Sequence, residues 1–169
     1  IGAHHFSGNQ DFDDFYLCDS TGTYNNDFLG DVRVKYDAPN ANGSNVAWAA
    51  SAGTDEECVD ETAPNSDTDY ISSATPGDLE SFAFPALGIT GNVKAVQTSL
   101  FARKDDAGSR TFREHCRSGG NPFSGATKSL SDSYLYYSEI REYDPNAAPA
   151  AAWTVAGVDA AELGAELVS

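Results

Sequence analysis

Residues 93–117 read VKAVQTSLFARKDDAGSRTFREHCR, two arms rich in strand-forming residues around a short polar break. Val96, Thr98, Leu100 and Phe101 populate the first arm, and Thr111 and Phe112 the second. Between them, Asp105-Asp106-Ala107-Gly108 has turn composition, with Gly108 placed to supply a positive φ. The stretch predicts a β-hairpin, and with it a chain built from strands.

The same texture extends in both directions. Val32, Val34 and Tyr36 alternate with Arg33, Lys35 and Asp37, the period-2 pattern of a half-buried strand. APNANGSN (38–45) is a turn cluster, Trp48 anchors a short apolar run, and TPGD (75–78) is a second turn. Phe82 and Phe84 alternate again. SGGNPFSG (118–125) reads as a loop or irregular ribbon, SYLYYSEIREY (133–143) as a long strand and DPNAAPAAAW (144–153) as a turn and linker.

Helix is expected only at GVDAAELGAEL (157–167), ended by Gly164, with Glu166 to Ser169 as a closing strand. Roughly eight to twelve short strands separated by turns give an all-β fold, an antiparallel sandwich or barrel with one short helix near the C-terminus. Without an internal repeat or a sharp break in composition, residues 1–169 are expected to form a single β-sandwich domain.

The charge balance is lopsided: 26 acidic residues face 10 basic ones, a net charge of −16. Such a field opposes binding to nucleic-acid phosphates and to anionic lipid, so neither partner is expected. No apolar run approaches the ~20 residues of a membrane-spanning helix, and membrane insertion is not expected. The sequence contains no methionine, position 1 included, so the natural start is expected to lie outside it. Cys18, Cys58 and Cys116 are widely spaced and odd in number, which fits buried free thiols better than a disulfide framework.

The segment FDDFYLCDSTGTYNNDFLGDVRV (12–34) concentrates carboxylates and amides. Asp19, Asn25, Asn26 and Asp27 are the candidate ligands for calcium, which gathers oxygens from loops of this composition. The helix–loop–helix calcium pattern is absent, because Thr21, Thr23 and Tyr24 occupy its ligand and glycine positions. The competing expectation is that these residues only initiate turns and cap strand ends. NSDTD (65–69) presents the same choice with fewer residues.

Catalytic constellations are not evident. In EIREYD (139–144), Glu139 and Asp144 fall on opposite faces of a strand, unlike the same-face carboxylates of a glycoside hydrolase. Adjacent His4 and His5 likewise point opposite ways. No nucleophile elbow, phosphate loop or dinucleotide motif occurs, so no enzyme activity is expected. Tyr134 and Tyr136 share one face of their strand and Tyr137 and Tyr143 the other. With Phe123, Tyr134 and Tyr136 form the candidate ligand or partner surface.

Three segments together resemble a group of tailed-bacteriophage virion structural proteins: residues 12–34 above, AVQTSLFARKDDAGSRTF (95–112) and DPNAAPAAAWTVAGVDAAELG (144–164). The resemblance implies a concanavalin A-like or laminin-G-like jelly roll, with DDFYL (13–17) as an inner strand. It implies a non-enzymatic protein of the virion surface, either a tail fibre or receptor-binding component or a capsid decoration protein. Other virion proteins, copies of itself and a host-surface glycan are then the expected partners. The alternative is a free, lectin-like carbohydrate-binding module that uses calcium.

Overall fold

A computed structural model describes residues 20–147 and 151–169. The chain divides into two compact units, Ile1–Tyr36 and Asp37–Ser169. In the first unit, the described residues from 20 to 36 form loop without strand pairing. Gly22 and Gly30 adopt φ of 81°, and Asn25 a φ of 52°, a left-handed conformation that Asn tolerates in turns. The strand expected at Val32–Tyr36 is therefore corrected. Its alternation is real, but Val34 is 99% exposed, and no described strand covers it. The strand expected at 13–17 lies outside the described residues.

The second unit is β-rich, and all its pairings are antiparallel. Strands β1 (Ala41–Val46), β4 (Leu79–Ala83), β10 (Glu162–Leu167), β6 (Thr111–Ser118) and β7 (Asn121–Ser124) form the main sheet. Their spatial order is β1-β4-β10-β6-β7, with β8 (Lys128–Ser129) also paired to β6. Strands β5 (Val96–Ala102) and β9 (Leu135–Arg141) form a separate ribbon, and β2 (Ala49–Ala50) pairs with β3 (Ile71–Ser72). Helix α1 (Val155–Asp159) is a single short segment capped by Thr154, whose Oγ1 accepts the Gly157 N–H at 2.9 Å.

The predicted hairpin does not form. Its first arm, β5, pairs with β9 from Val96↔Arg141 to Ala102↔Leu135, while its second arm, β6, lies between β10 and β7. The connection crosses from ribbon to sheet, braced by Arg110 on Asp106 at 2.7 Å and by Lys104 Nζ donating to the Asp106 carbonyl at 2.7 Å. Gly108 is not among the glycines with positive φ. Strand character was legible in both arms, but partner choice followed distant strands.

A tight hairpin occurs instead where a loop or irregular ribbon was expected. Ser118 pairs with Asn121 across Gly119 and Gly120, whose φ values of 55° and 83° provide the mirror-image turn suited to strand twist. The turn cluster expected at 38–45 is likewise corrected, because β1 occupies most of it and pairs with β4 through a bulge between Asn42 and Val46. The helix expected over 157–167 is split: α1 ends at Asp159, and β10 begins at Glu162. Helix-favouring Glu, Leu and Ala yield there to a slot between β4 and β6 that only a strand fills.

Residues directly opposite one another in a sheet share a face, which sorts the main sheet into two sides. One side carries Phe82, Leu163 and Cys116 in one row and Glu80, Ala165 and Glu114 in another. The ribbon packs on this side: the Tyr137 ring meets Phe112 edge-on at 5.0 Å, and Val96 joins Cys116, Leu163, Trp153 and Ala161 in the core. The Trp153 indole N–H is satisfied by the Arg141 carbonyl at 2.9 Å. Cys58 and Cys116 are buried free thiols, and burial pushes the Cys116 thiol up to about 11, away from reactivity.

Candidate functional site

The free face of the β5–β9 ribbon gathers aromatic side chains. Alternation aims Tyr134, Tyr136 and Ile140 away from the main sheet, opposite Phe101 and Gln97. Phe101 stacks on Tyr134 with ring centroids 4.9 Å apart and tilts against Tyr136 at 4.7 Å. The Arg103 guanidinium lies 5.2 Å from the Tyr134 ring centre and contacts Asp67 at 3.1 Å. Tyr134 Oη donates to the same Asp67 carboxylate at 2.8 Å, and these two donors hold that carboxyl below its usual range. Tyr134 is thus fixed from both ends, while Tyr136 remains 64% exposed and Ile140 is exposed beside it.

Phe123 is not part of that stack. It lines a cleft of about 300 Å³ between β7 and the C-terminal half of β9, with Glu139, Ile140, Arg141, Glu142 and Tyr143, so Ile140 borders both the cleft and the ribbon face. Arg141 underpins the cleft: its guanidinium contacts Glu139 at 3.3 Å, Thr98 Oγ1 at 3.2 Å and the Glu114 carbonyl at 3.2 Å. Glu139 Oε2 also accepts the Ala126 N–H at 3.2 Å. The structure therefore divides the three predicted surface residues between two places, Tyr134 and Tyr136 on the ribbon face and Phe123 in the cleft.

Asn25, Asn26 and Asp27 lie in the loop of the first unit, and Asp19 lies outside the described residues. Asn26 Nδ2 donates to the Gly22 carbonyl at 3.0 Å, and Asp27 Oδ1 accepts the Phe28 N–H at 2.7 Å, both of them turn contacts. Among the described residues, no three His, Cys, Asp or Glu side chains gather as metal ligands. In 65–69, Asn65 Nδ2 donates to Glu61 and Asp69, and Asp67 serves Tyr134 and Arg103. Asp144 accepts from Ser118 Oγ at 2.7 Å and from the Asn146 N–H at 2.9 Å. His4 and His5 lie outside the described residues.

Buried ionisable groups in the main sheet were not anticipated. On the ribbon side, Glu80 and Glu114 are fully buried and flank Ala165 in one row. Glu114 pairs with Lys128, whose ammonium also donates to the Ser138 carbonyl at 2.8 Å. Glu80 Oε2 accepts the Trp48 N–H at 3.0 Å, but burial outweighs this bond and pushes the carboxyl up to about 7.

On the opposite side, His115 is fully buried, and neither ring nitrogen has a hydrogen-bond partner among the described residues. Arg113 and Arg117 flank it along β6. Glu166 and Glu162 lie on β10, pairing with Arg113 at 2.7 Å and Arg117 at 3.0 Å. Burial lowers the imidazole pKa and so favours the neutral ring within this frame of ion pairs. The only sequence signal was charge within the β6 alternation, Phe112, Glu114 and Cys116 to one side and Arg113, His115 and Arg117 to the other.

No family model, curated protein or solved structure matches this chain. No helix among the described residues is long and apolar enough to cross a membrane.

Proposed function

We propose that this chain is a non-enzymatic structural protein of a bacteriophage virion surface, a tail fibre or receptor-binding component or a capsid decoration protein. The observation that carries this reading is the apolar, exposed Tyr136–Ile140 surface on the ribbon, backed by half-buried Phe101 and held at its side by the Tyr134–Asp67–Arg103 contacts. Rigid aromatic groups of this kind supply contact area at little entropic cost, as protein interfaces require. The three segments that resemble virion proteins support the setting, and the antiparallel main sheet with a ribbon packed on one side supports a jelly-roll sandwich. Repeated copies, held to one another and to other virion proteins by weak contacts, gain strength through multivalency.

Quantitative mass spectrometry of purified particles carrying this chain tests the reading. Hundreds of copies per particle mean head decoration, and a few copies mean a tail component. Absence from intact particles sinks it. Tyr136→Ala with Ile140→Ser is expected to lower incorporation without changing the melting temperature.

A second reading, a lectin-like carbohydrate-binding module, is favoured by the cleft beside β9. About 300 Å³ is the lower end of the range for small-ligand sites, and Phe123 and Tyr143 line it together with carboxylates. Glycan-array binding with and without a chelator tests this reading and its calcium component.

A further inference from the structure

We infer that the cleft between β7 and β9 takes an uncharged saccharide unit and rejects anionic glycans, an inference that rests on the second reading above. Two kinds of group line the space. Phe123 and Tyr143 offer apolar ring surface against which the C–H face of a sugar ring packs. Glu139 and Glu142 bring carboxylate oxygens, which accept from sugar hydroxyls, whereas the Ser124 hydroxyl donates to Glu166 on the other side of the sheet. At about 300 Å³, the space suits one or two rings rather than a long chain.

The charge argument selects among saccharides. Arg141 is the one basic residue of the lining, and its side chain is 9% exposed. Its guanidinium is already committed to Glu139, Thr98 and the Glu114 carbonyl. It orients Glu139 rather than offering an anion a place to bind. Lys128, the next cation, is engaged by the Glu114 and Glu139 carboxylates. With Glu139 and Glu142 against Arg141, the lining carries net negative charge on a protein of net charge −16, so a carboxylated, sulfated or phosphorylated sugar meets repulsion without a compensating contact.

The test uses the full chain and two probe sets, each measured with and without EDTA by saturation-transfer NMR and calorimetry. Neutral probes are mono- and disaccharides of glucose, galactose, mannose and N-acetylglucosamine; anionic probes are sialyllactose and sulfated oligosaccharides. At least one neutral probe is expected to bind, indifferent to EDTA, with no anionic binding. Phe123→Ala and Tyr143→Ala are expected to weaken binding about tenfold, the loss of one ring contact. Tyr136→Ala on the ribbon face is expected to leave it unchanged. Glu142→Lys, at an exposed position, is expected to weaken neutral binding and admit an anionic probe, with the melting temperature checking that the fold is kept. Anionic preference in the wild type overturns the inference while leaving the carbohydrate reading in place. No binding by either set overturns both, and neutral binding insensitive to Phe123→Ala, Tyr143→Ala and Glu142→Lys places the saccharide elsewhere and overturns the inference.

Discussion

Gly164 of β10 sits against the Glu80 peptide of β4 so closely that a side chain has no room. A Cβ built at Gly164 falls inside contact distance of the Glu80 carbonyl oxygen and 2.8 Å from Ser81 Cα. The obstacle is the backbone of β4, held in the main sheet between β1 and β10, so it cannot swing aside as a flexible side chain would. Gly164→Ala is therefore expected to cost about 3 kcal/mol or more, at the upper end of ordinary single substitutions. Chemical denaturation measures it; a loss below about 1 kcal/mol would show that β4 and β10 separate easily.

Glu80 gives the fold a pH dependence of opposite sign to the usual carboxylate. Its folded-state pKa, about 7, lies above the ordinary value of 4.5, with burial the largest cause and Asp55 adding repulsion. Below pH 4.5 both states hold the proton and the group is neutral in its effect. As pH rises from 4.5 to 7, the unfolded chain ionises freely while the folded chain resists, and stability falls. Glu80→Gln removes this penalty. The variant-minus-wild-type stability is expected to rise between pH 4.5 and 7 and to level off above, by on the order of 2–3 kcal/mol. Thermal melts of both proteins at pH 5 and pH 8 provide the comparison.

His115 acts in the other direction. Its folded pKa lies below 6.5, through burial first, with Arg141 and Arg117 adding to the shift and Glu166 and Glu162 opposing it. As pH falls through 6.5, the unfolded chain takes up a proton that the buried ring resists, and stability is lost. His115→Leu removes that uptake, so its stability relative to wild type is expected to be higher at pH 5 than at pH 7.5. Because the Glu80 and His115 contributions oppose each other between pH 4.5 and 6.5, each is read from its own variant difference rather than from the wild-type curve. A variant difference independent of pH would mean that His115 titrates as it does in the unfolded chain.

These residues also explain how much the sequence conveyed. The strand character of β4, β5, β6 and β9 was legible because alternation and β-branched or aromatic residues are local signals. Partner choice was not: the turn at Asp105–Gly108 looked sufficient to close a hairpin, yet β5 gains its register from β9 and β6 from β10, chosen by packing across the whole unit. Gly164 illustrates the same limit, because glycine after an Ala-Glu-Leu run reads as a helix stop, whereas its role is to let two backbones meet. Tyr134 and Tyr136 were placed on one face correctly because strand parity fixes faces without tertiary knowledge. That Phe123 belongs to a different place, with Tyr143, depends on how the edges of two sheets approach, which no local pattern encodes.

The buried Glu114–Lys128 pair supplies the last prediction. Glu114 is fully buried, Lys128 is its cationic partner, and Oε2 of Glu114 has no hydrogen-bond partner among the described residues. A buried pair of this kind adds little over an apolar replacement, but breaking it strands a charge. Lys128→Met is therefore expected to destabilise by about 3–5 kcal/mol, more than a surface lysine could account for. Lys128→Met combined with Glu114→Leu is expected to recover most of that loss, because the stranded carboxylate is gone and the neighbouring Phe112 and Tyr137 rings supply apolar surroundings. The cycle is read by denaturant unfolding of the four proteins. If the double variant is as unstable as the sum of the singles, Lys128 acts mainly through its bonds to Ser138 and Glu139, and the β8–β9 junction rather than the Glu114 charge sets the cost.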